Sequence, residues 1–224
     1  MDIRGIDYLG IERVFQRGSA KILVDCEDVL LIYDTISKAF FLACEDDEKG
    51  ISVVDSHIKD DCRLLMAPNV LIGKTAYERY GFSEKLECYQ VAYYGEKPVC
   101  DGLLSFRTAE SADIDMLTGA YHMLCDEDIK KIVNMSGIVI GYYQDCPVGF
   151  IGEHLEGSMG ILYVFPEYRN KGIGTALQKY FIAKTIDRGF IPFGQVEKHN
   201  LSSLNLQRKI GMTISDNLIV WMWR

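Results

Sequence analysis

The stretch PEYRNKGIGTALQKYF, residues 166–181, decides how the chain is read. It sets an arginine, an asparagine, a lysine and two closely spaced glycines directly before an amphipathic helix. Glycine lets a backbone approach a ligand closely, and the first N–H groups of a helix have no partner inside it. Asn170, Lys171, Gly172, Ile173, Gly174 and Thr175 therefore offer a run of amides toward one point, with Arg169 and Lys171 adding positive charge at the rim. That combination is suited to a phosphate.

Working outward, GSMGILYVF (157–165) reads as a strand stopped by Pro166, whose ring removes a ladder donor. The helix after the glycines runs to about Arg188, with Gly189 as its stop. FIPFGQV (190–196) is a strand, SSLNLQRKIG (202–211) a helix with a glycine terminator, and LIVWMWR (218–224) a closing strand. Upstream, LLSFR (103–107) is a short strand. TAESADIDMLTGAY (108–121) is a helix with Ser111 and Asp113 as caps, and DEDIKKIVN (126–134) is a helix with acids at its favourable end. GIVIGYYQDCPVGFIGEHL (137–155) reads as a hairpin turning at Gln144 and Asp145.

In the first half, strands are expected at 20–24, 29–33, 40–43 and 63–66, and a helix at 51–59. KTAYERYGFSEKLECYQVAYY (74–94) and LNLQRKIGMTISDNLIVWMWR (204–224) then echo one another. Each is a short helix, a glycine with a large apolar residue after it, a polar loop and an aromatic-rich strand. Superposing Gly81 on Gly211 sets Tyr77 opposite Gln207, and EKPVCDG (96–102) has linker composition. IGKT (72–75) is no phosphate loop, because the first glycine of that motif would fall on Pro68, which has no amide donor.

The chain has 224 residues, 48% hydrophobic and 25% charged, enough to bury a real core. Its net charge of −8, without a long basic run, argues against a nucleic-acid partner. No apolar run is long enough for a membrane helix, and the start lacks the apolar centre of a signal peptide, so a cytoplasmic protein without membrane association is expected. Seven scattered cysteines without C-x-x-C read as reduced, buried thiols, and the four histidines are far apart, so no metal is expected.

Strand, R-x-x-G-x-G and helix in this order resemble the GNAT superfamily of acyl-CoA N-acyltransferases. QVEKHNLSSLNLQRKIG (195–211) resembles its glycine N-acyltransferase-like branch, with Asn200, Ser203 and Gly211 at the expected places. The resemblance covers 103–224 well and the first half only weakly. It implies an α+β fold with a mixed sheet, built as tandem units: a degenerate copy at 1–100 without a phosphate loop, and an acyl-CoA-binding catalytic domain at 101–224. It implies acetyl-CoA as co-substrate and direct acetyl transfer to a primary amine of a small molecule or peptide; the alternative is a non-catalytic acyl-CoA-binding regulatory module.

The resemblance also assigns roles. The backbone of Leu162, Tyr163 and Val164 would pair with the pantetheine arm, the loop from Arg169 to Thr175 would hold the pyrophosphate, and Asn200 and Ser203 would complete cofactor binding. The family's tyrosine acid falls on Gln207, which has no titratable proton, and its glutamate base falls on Ser158. An extended strand would set His154, Glu156 and Ser158 on one face, which makes Glu156 the expected base and His154 the second candidate. Glu153, Glu156 and Glu197 point to a cationic acceptor.

Overall fold

In a computed structural model that describes residues 3–59, 61–100 and 102–224, β11 (Thr213–Trp223), the last strand of the chain, is hydrogen-bonded along one side to β4 (Leu64–Ala67) and along the other to β5 (Glu84–Ala92). With β1 (Ala20–Asp25), β2 (Val29–Asp34), β3 (Phe40–Cys44) and β10 (Phe193–Glu197) these strands form a seven-stranded mixed sheet in the order β1-β2-β3-β4-β11-β5-β10. A second sheet of β6 (Ser105–Thr108), β7 (Ile138–Tyr143), β8 (Cys146–Gly152) and β9 (Tyr163–Val164) is antiparallel in that order. The chain divides into two units, Met1–Ala92 with Gln195–Asn205 and Thr213–Arg224, and Tyr93–Gly194 with Leu206–Met212. This partition differs from a linear division between residues 100 and 101, because the closing strand is built into the first sheet. Strand pairing between distant segments leaves no local mark in a sequence.

The first unit is a sheet covered on both faces. Along β2, Val29 and Leu31 join one core with α2 (Asp47–His57) and α3 (Val70–Tyr80), while Leu30 and Ile32 join another with α1 (Leu9–Gln16). β11 divides in the same way, Val220 and Met222 to the first core, Ile219 and Trp221 to the second. Alternate side chains point to opposite faces, so a strand buried on both reads as an unbroken apolar run. α1 is the one helix here absent from the sequence expectations; it is two turns long and contains Gly10, a poor helix former. The IGKT motif lies inside α3. Its Gly73 packs on β11, and a Cβ there would stand 2.6–2.8 Å from the Val220 side chain, so this glycine serves close helix–strand packing.

In the second unit, β7 and β8 turn through Gln144 (φ 49°) and Asp145 (φ 63°), the left-handed pair of a tight hairpin. α5 (Asp126–Asn134) covers the expected residues and packs Ile129, Ile132 and Val133 with Leu117 of α4 (Ile114–Ala120) and Phe150 of β8. Ser111 and Asp113 lie in a 3-10 turn ahead of α4, where Glu110 and Asp113 form a reciprocal capping box. α6 (Ile173–Asp187) lies on the same sheet: Leu177 methyls come within 2.9 and 3.1 Å of where Cβ atoms of Gly141 and Gly149 would be. All seven cysteines are free, but only Cys44, Cys62 and Cys88 are buried; Cys26, Cys100, Cys125 and Cys146 are exposed, which corrects the expectation of buried thiols throughout. Among the described residues no helix is long and apolar enough to cross a membrane.

Gly73→Ala is expected to cost about 1–3 kcal/mol, because the β-branched Val220 cannot swing away from the added methyl. Thermal unfolding measures it, and a midpoint equal to that of the parent would contradict the packing described.

Candidate active site

The site begins with the backbone path into α6. After Pro166–Tyr168, a single 3-10 turn, Arg169 is extended, Asn170 takes φ 61° and Gly172 φ 80°. Gly172 is the N-cap residue, no side chain caps the helix, and the first turn carries no acid. The amides of Ile173, Gly174 and Thr175 are thus left without intrahelical partners, facing a positive helix end. The two glycines serve different ends. Gly172 is required by its left-handed backbone. Gly174 is helical, and a Cβ there would meet only Val164 at 3.7 Å and Leu206 at 4.0 Å, so what its missing side chain preserves is open approach to the amides.

The two rim cations are already engaged. Arg169 donates from Nε to the Val164 carbonyl at 3.0 Å and lies over the Tyr163 ring at 5.6 Å; Lys171 lies over Tyr168 at 5.8 Å. They hold the loop against β9 and its own 3-10 turn.

β9 is the outer strand of its sheet. Tyr163 pairs with Phe150, and Phe165 N–H donates to the Val148 carbonyl at 3.1 Å. By the alternation of an antiparallel ladder, Leu162 and Val164 therefore turn their backbone groups away from β8. Leu162 N–H is spent on the Gly160 carbonyl at 2.9 Å and the Val164 carbonyl on Arg169, which leaves Leu162 C=O and Val164 N–H toward the open edge.

The expected strand 157–165 is shorter than its sequence suggests. Glu153 bridges Met159, whereas Phe150 pairs Tyr163, a one-residue shift in register. The extra residue is a bulge at Gly160 and Ile161, whose amides both point to the Gly152 carbonyl, at 3.2 and 3.3 Å. His154, Glu156 and Ser158 consequently do not share a strand face. Gly157 N–H donates to the His154 carbonyl at 2.9 Å, closing a turn in which Gly157 has φ 95°. The turn folds Glu156 inward to 8% exposure, where Ser158, itself fully buried, donates its hydroxyl to Glu156 Oε1. His154 packs on the Cα of Gly160, where a Cβ would lie 2.3 Å from Nε2.

No motif in the sequence singles out Tyr121, which follows α4. Its hydroxyl donates to the Gly160 carbonyl at 3.3 Å, and its pKa is pushed up to about 12, first by burial and then by the charge of Glu156. The ring stands edge-on to Phe150. Only the fold brings this residue to the bulge.

Gln207, at the tyrosine position of the resemblance, is buried in α7 (Leu201–Ile210) and exchanges amide hydrogen bonds with Gln178 of α6. It has no proton to give. Asn200 Oδ1 accepts from Ser203 N–H at 3.0 Å, capping α7. Of the three carboxylates noted in the sequence, Glu153 is paired with Arg188 at 2.6 Å, Glu197 accepts the His199 amide at 2.9 Å and Glu156 accepts the Ser158 hydroxyl; among the described residues neither Glu197 nor Glu156 has an ion pair. Among the described residues no cluster of His, Cys, Asp or Glu could hold a metal ion.

Residues 106–212 match the model of the acetyltransferase (GNAT) family. No curated protein matches the sequence. Among solved structures, a Drosophila protein is similar over 99% of this chain and 91% of its own, with a TM-score of 0.72 and 14% identity. A GCN5-related N-acetyltransferase-like protein from Streptococcus suis is similar over 95% and 93%, with a TM-score of 0.56 and 15% identity. A GCN5-related N-acetyltransferase from Kribbella flavida is similar over 97% and 93%, with a TM-score of 0.56 and 11% identity. These likenesses are of fold, and the mixed seven-stranded and antiparallel four-stranded sheets described above agree with them. An uncapped helix start behind a left-handed glycine, beside an open strand edge, lies within the segment that matches the acetyltransferase (GNAT) family model, and the match supports an acyltransferase.

Proposed function

We propose that the enzyme transfers the acetyl group of acetyl-CoA directly to a primary amine of a small molecule or peptide. The observation that carries this reading is the uncapped, acid-free start of α6 behind Gly172. The pyrophosphate takes the amides of Ile173, Gly174 and Thr175, with Asn170 and Lys171 at the turn before them. The pantetheine arm adds to the edge of β9 through Leu162 C=O and Val164 N–H, as an extra strand would. The part of Asn200 and Ser203 in binding is carried by the resemblance alone.

In the reaction the amine nitrogen attacks the thioester carbon, the C–N bond forms and the C–S bond breaks. CoA leaves as a thiolate, whose pKa of about 8.5 makes a dedicated acid unnecessary. Glu156 takes the amine's proton. Its carboxylate is reached through the Ser158 hydroxyl that already bonds it, or through one water. His154, packed on Gly160, is the second candidate. A carboxylate without a cation on it favours a cationic acceptor.

The first unit is proposed to be a degenerate copy without co-substrate. β3-α2-β4-α3-β5 repeats the element order β9-α6-β10-α7-β11, and Gly81 (φ 62°) and Gly211 (φ 87°) end the corresponding helices in the same left-handed conformation. The copy has lost both halves of the site. β3 is paired on both edges, by β2 and β4, and the α2 start is capped by Asp46, with Asp47 and Glu48 behind it. A phosphate there would meet three carboxylates.

Gly174→Val is expected to fold normally, since the first added carbon finds ordinary contacts, and to weaken acetyl-CoA binding by about 10-fold or more in calorimetry, as its methyls intrude on the amides. Equal affinity in the folded variant would remove the loop from the site. Glu156→Gln is expected to lower kcat by about 100-fold or more with acetyl-CoA affinity unchanged. The deficit should shrink as pH rises and the amine deprotonates unaided. Normal turnover from pH 6 to 9 in this variant, with loss in His154→Ala, would transfer the role to His154.

A further inference from the structure

A cleft of about 510 Å3 opens in the first unit, on a part of the sheet that the acyl-transfer site does not use. Its floor is a row in register across three strands: Lys21 of β1 is opposite Tyr33 of β2, which is opposite Phe40 of β3. The two rings lie 5.0 Å apart at 56° and present an aromatic floor to solvent. Arg63 and Lys38 complete the rim, with Asp61 the single carboxylate on it among the described residues. The described lining thus carries three cations against one carboxylate, in a chain whose overall charge is −8. Among the described residues the side chains of Lys21, Lys38 and Arg63 make no ion pair or hydrogen bond.

Two backbone irregularities aim side chains into this cleft. β1 slips register between Ile22 and Val24, and the unpaired residue, Leu23, is turned to the lining. Lys38 is held at φ 62°, a conformation that costs a lysine energy. It is kept there by a rigid turn, in which Lys38 N–H donates to Asp34 C=O at 2.9 Å and Asp34 N–H to Ala39 C=O at 2.8 Å. The buried Asp34 carboxylate fixes that turn, accepting from the amides of Ile36 and Ser37, the Ser37 hydroxyl and Arg17. Strain that the surrounding structure over-determines concentrates at ligand sites. Three unpartnered cations on an aromatic floor match one ligand chemistry, with ring stacking below and charge-assisted hydrogen bonds at the rim.

We propose that this cleft binds an anionic group carried on a flat apolar body, the body on Tyr33 and Phe40 and the anion among Lys21, Lys38 and Arg63. A cleft of this size holds a small ligand of one or two rings. The site is independent of the acyl-transfer reading.

The test titrates the full chain with 8-anilinonaphthalene-1-sulfonate, an aromatic sulfonate whose fluorescence rises on binding. One saturable site is expected, weakened about 10-fold or more in Lys21→Gln/Arg63→Gln, two exposed positions. In the parent protein the neutral N-phenyl-1-naphthylamine should bind at least about 10-fold more weakly, an arm that needs no variant to fold. Equal affinity for the two probes, undiminished binding in a folded double variant, or absence of a saturable site would each overturn the proposal.

Discussion

The pairing of β11 between β4 and β5 is the constraint on which the first sheet depends. β4 is only four residues long, and without β11 it would keep β3 as its sole neighbour, while β5 would lose an eight-partner ladder to the last strand. Val220 and Met222 would leave one core, and Ile219 and Trp221 the other. Burial on both faces explains why the final residues, LIVWMW, are apolar without alternation. It also explains Gly73, since α3 can settle on β11 only where no Cβ intervenes. The first 92 residues therefore carry most of a sheet, and the end of the chain supplies one of its central strands.

A second constraint separates two runs of similar element order by what their backbone groups are bonded to. β3 has neighbours on both edges, and Asp46 satisfies a donor at the start of α2. β9 has a neighbour on one edge only, and nothing caps α6. Backbone donors exposed at a helix start and a strand edge need a partner from solvent or ligand. In the second run the donors are Val164 N–H and the amides of Ile173, Gly174 and Thr175, with Leu162 C=O as an acceptor beside them, which is why co-substrate binding is proposed there and not in the first.

Much of this was legible in the sequence, and what was not has a common cause. DEDIKKIVN announced α5 through its acidic start and apolar spacing, and the Gln144-Asp145 turn announced the β7–β8 hairpin; both depend on neighbouring residues. The loop after Pro166 was legible for the same reason. The turn at 154–157 was not, because apolar residues at 159, 161 and 163 follow strand periodicity whether or not a bulge interrupts the ladder. The inward fold of Glu156, the approach of Tyr121 to Gly160 and the engagement of Arg169 and Lys171 with aromatic rings all arise from contacts set by tertiary packing. So does the destination of β11. The pairing of Gln207 with Gln178 shows the limit from the other side: the residue type excluded an acid, but only the structure shows what the amide does instead.

The central claim is that unpartnered amides at the start of α6 and on the edge of β9 receive the acyl-CoA, while the corresponding groups of β3 and α2 do not. Residue-resolved amide hydrogen exchange with and without acetyl-CoA tests this most directly. The account predicts slowed exchange at Val164 and at Ile173, Gly174 and Thr175, with no change across β3 and the first turn of α2. Protection in the first turn of α2, or none at the start of α6 under saturating acetyl-CoA, would contradict it.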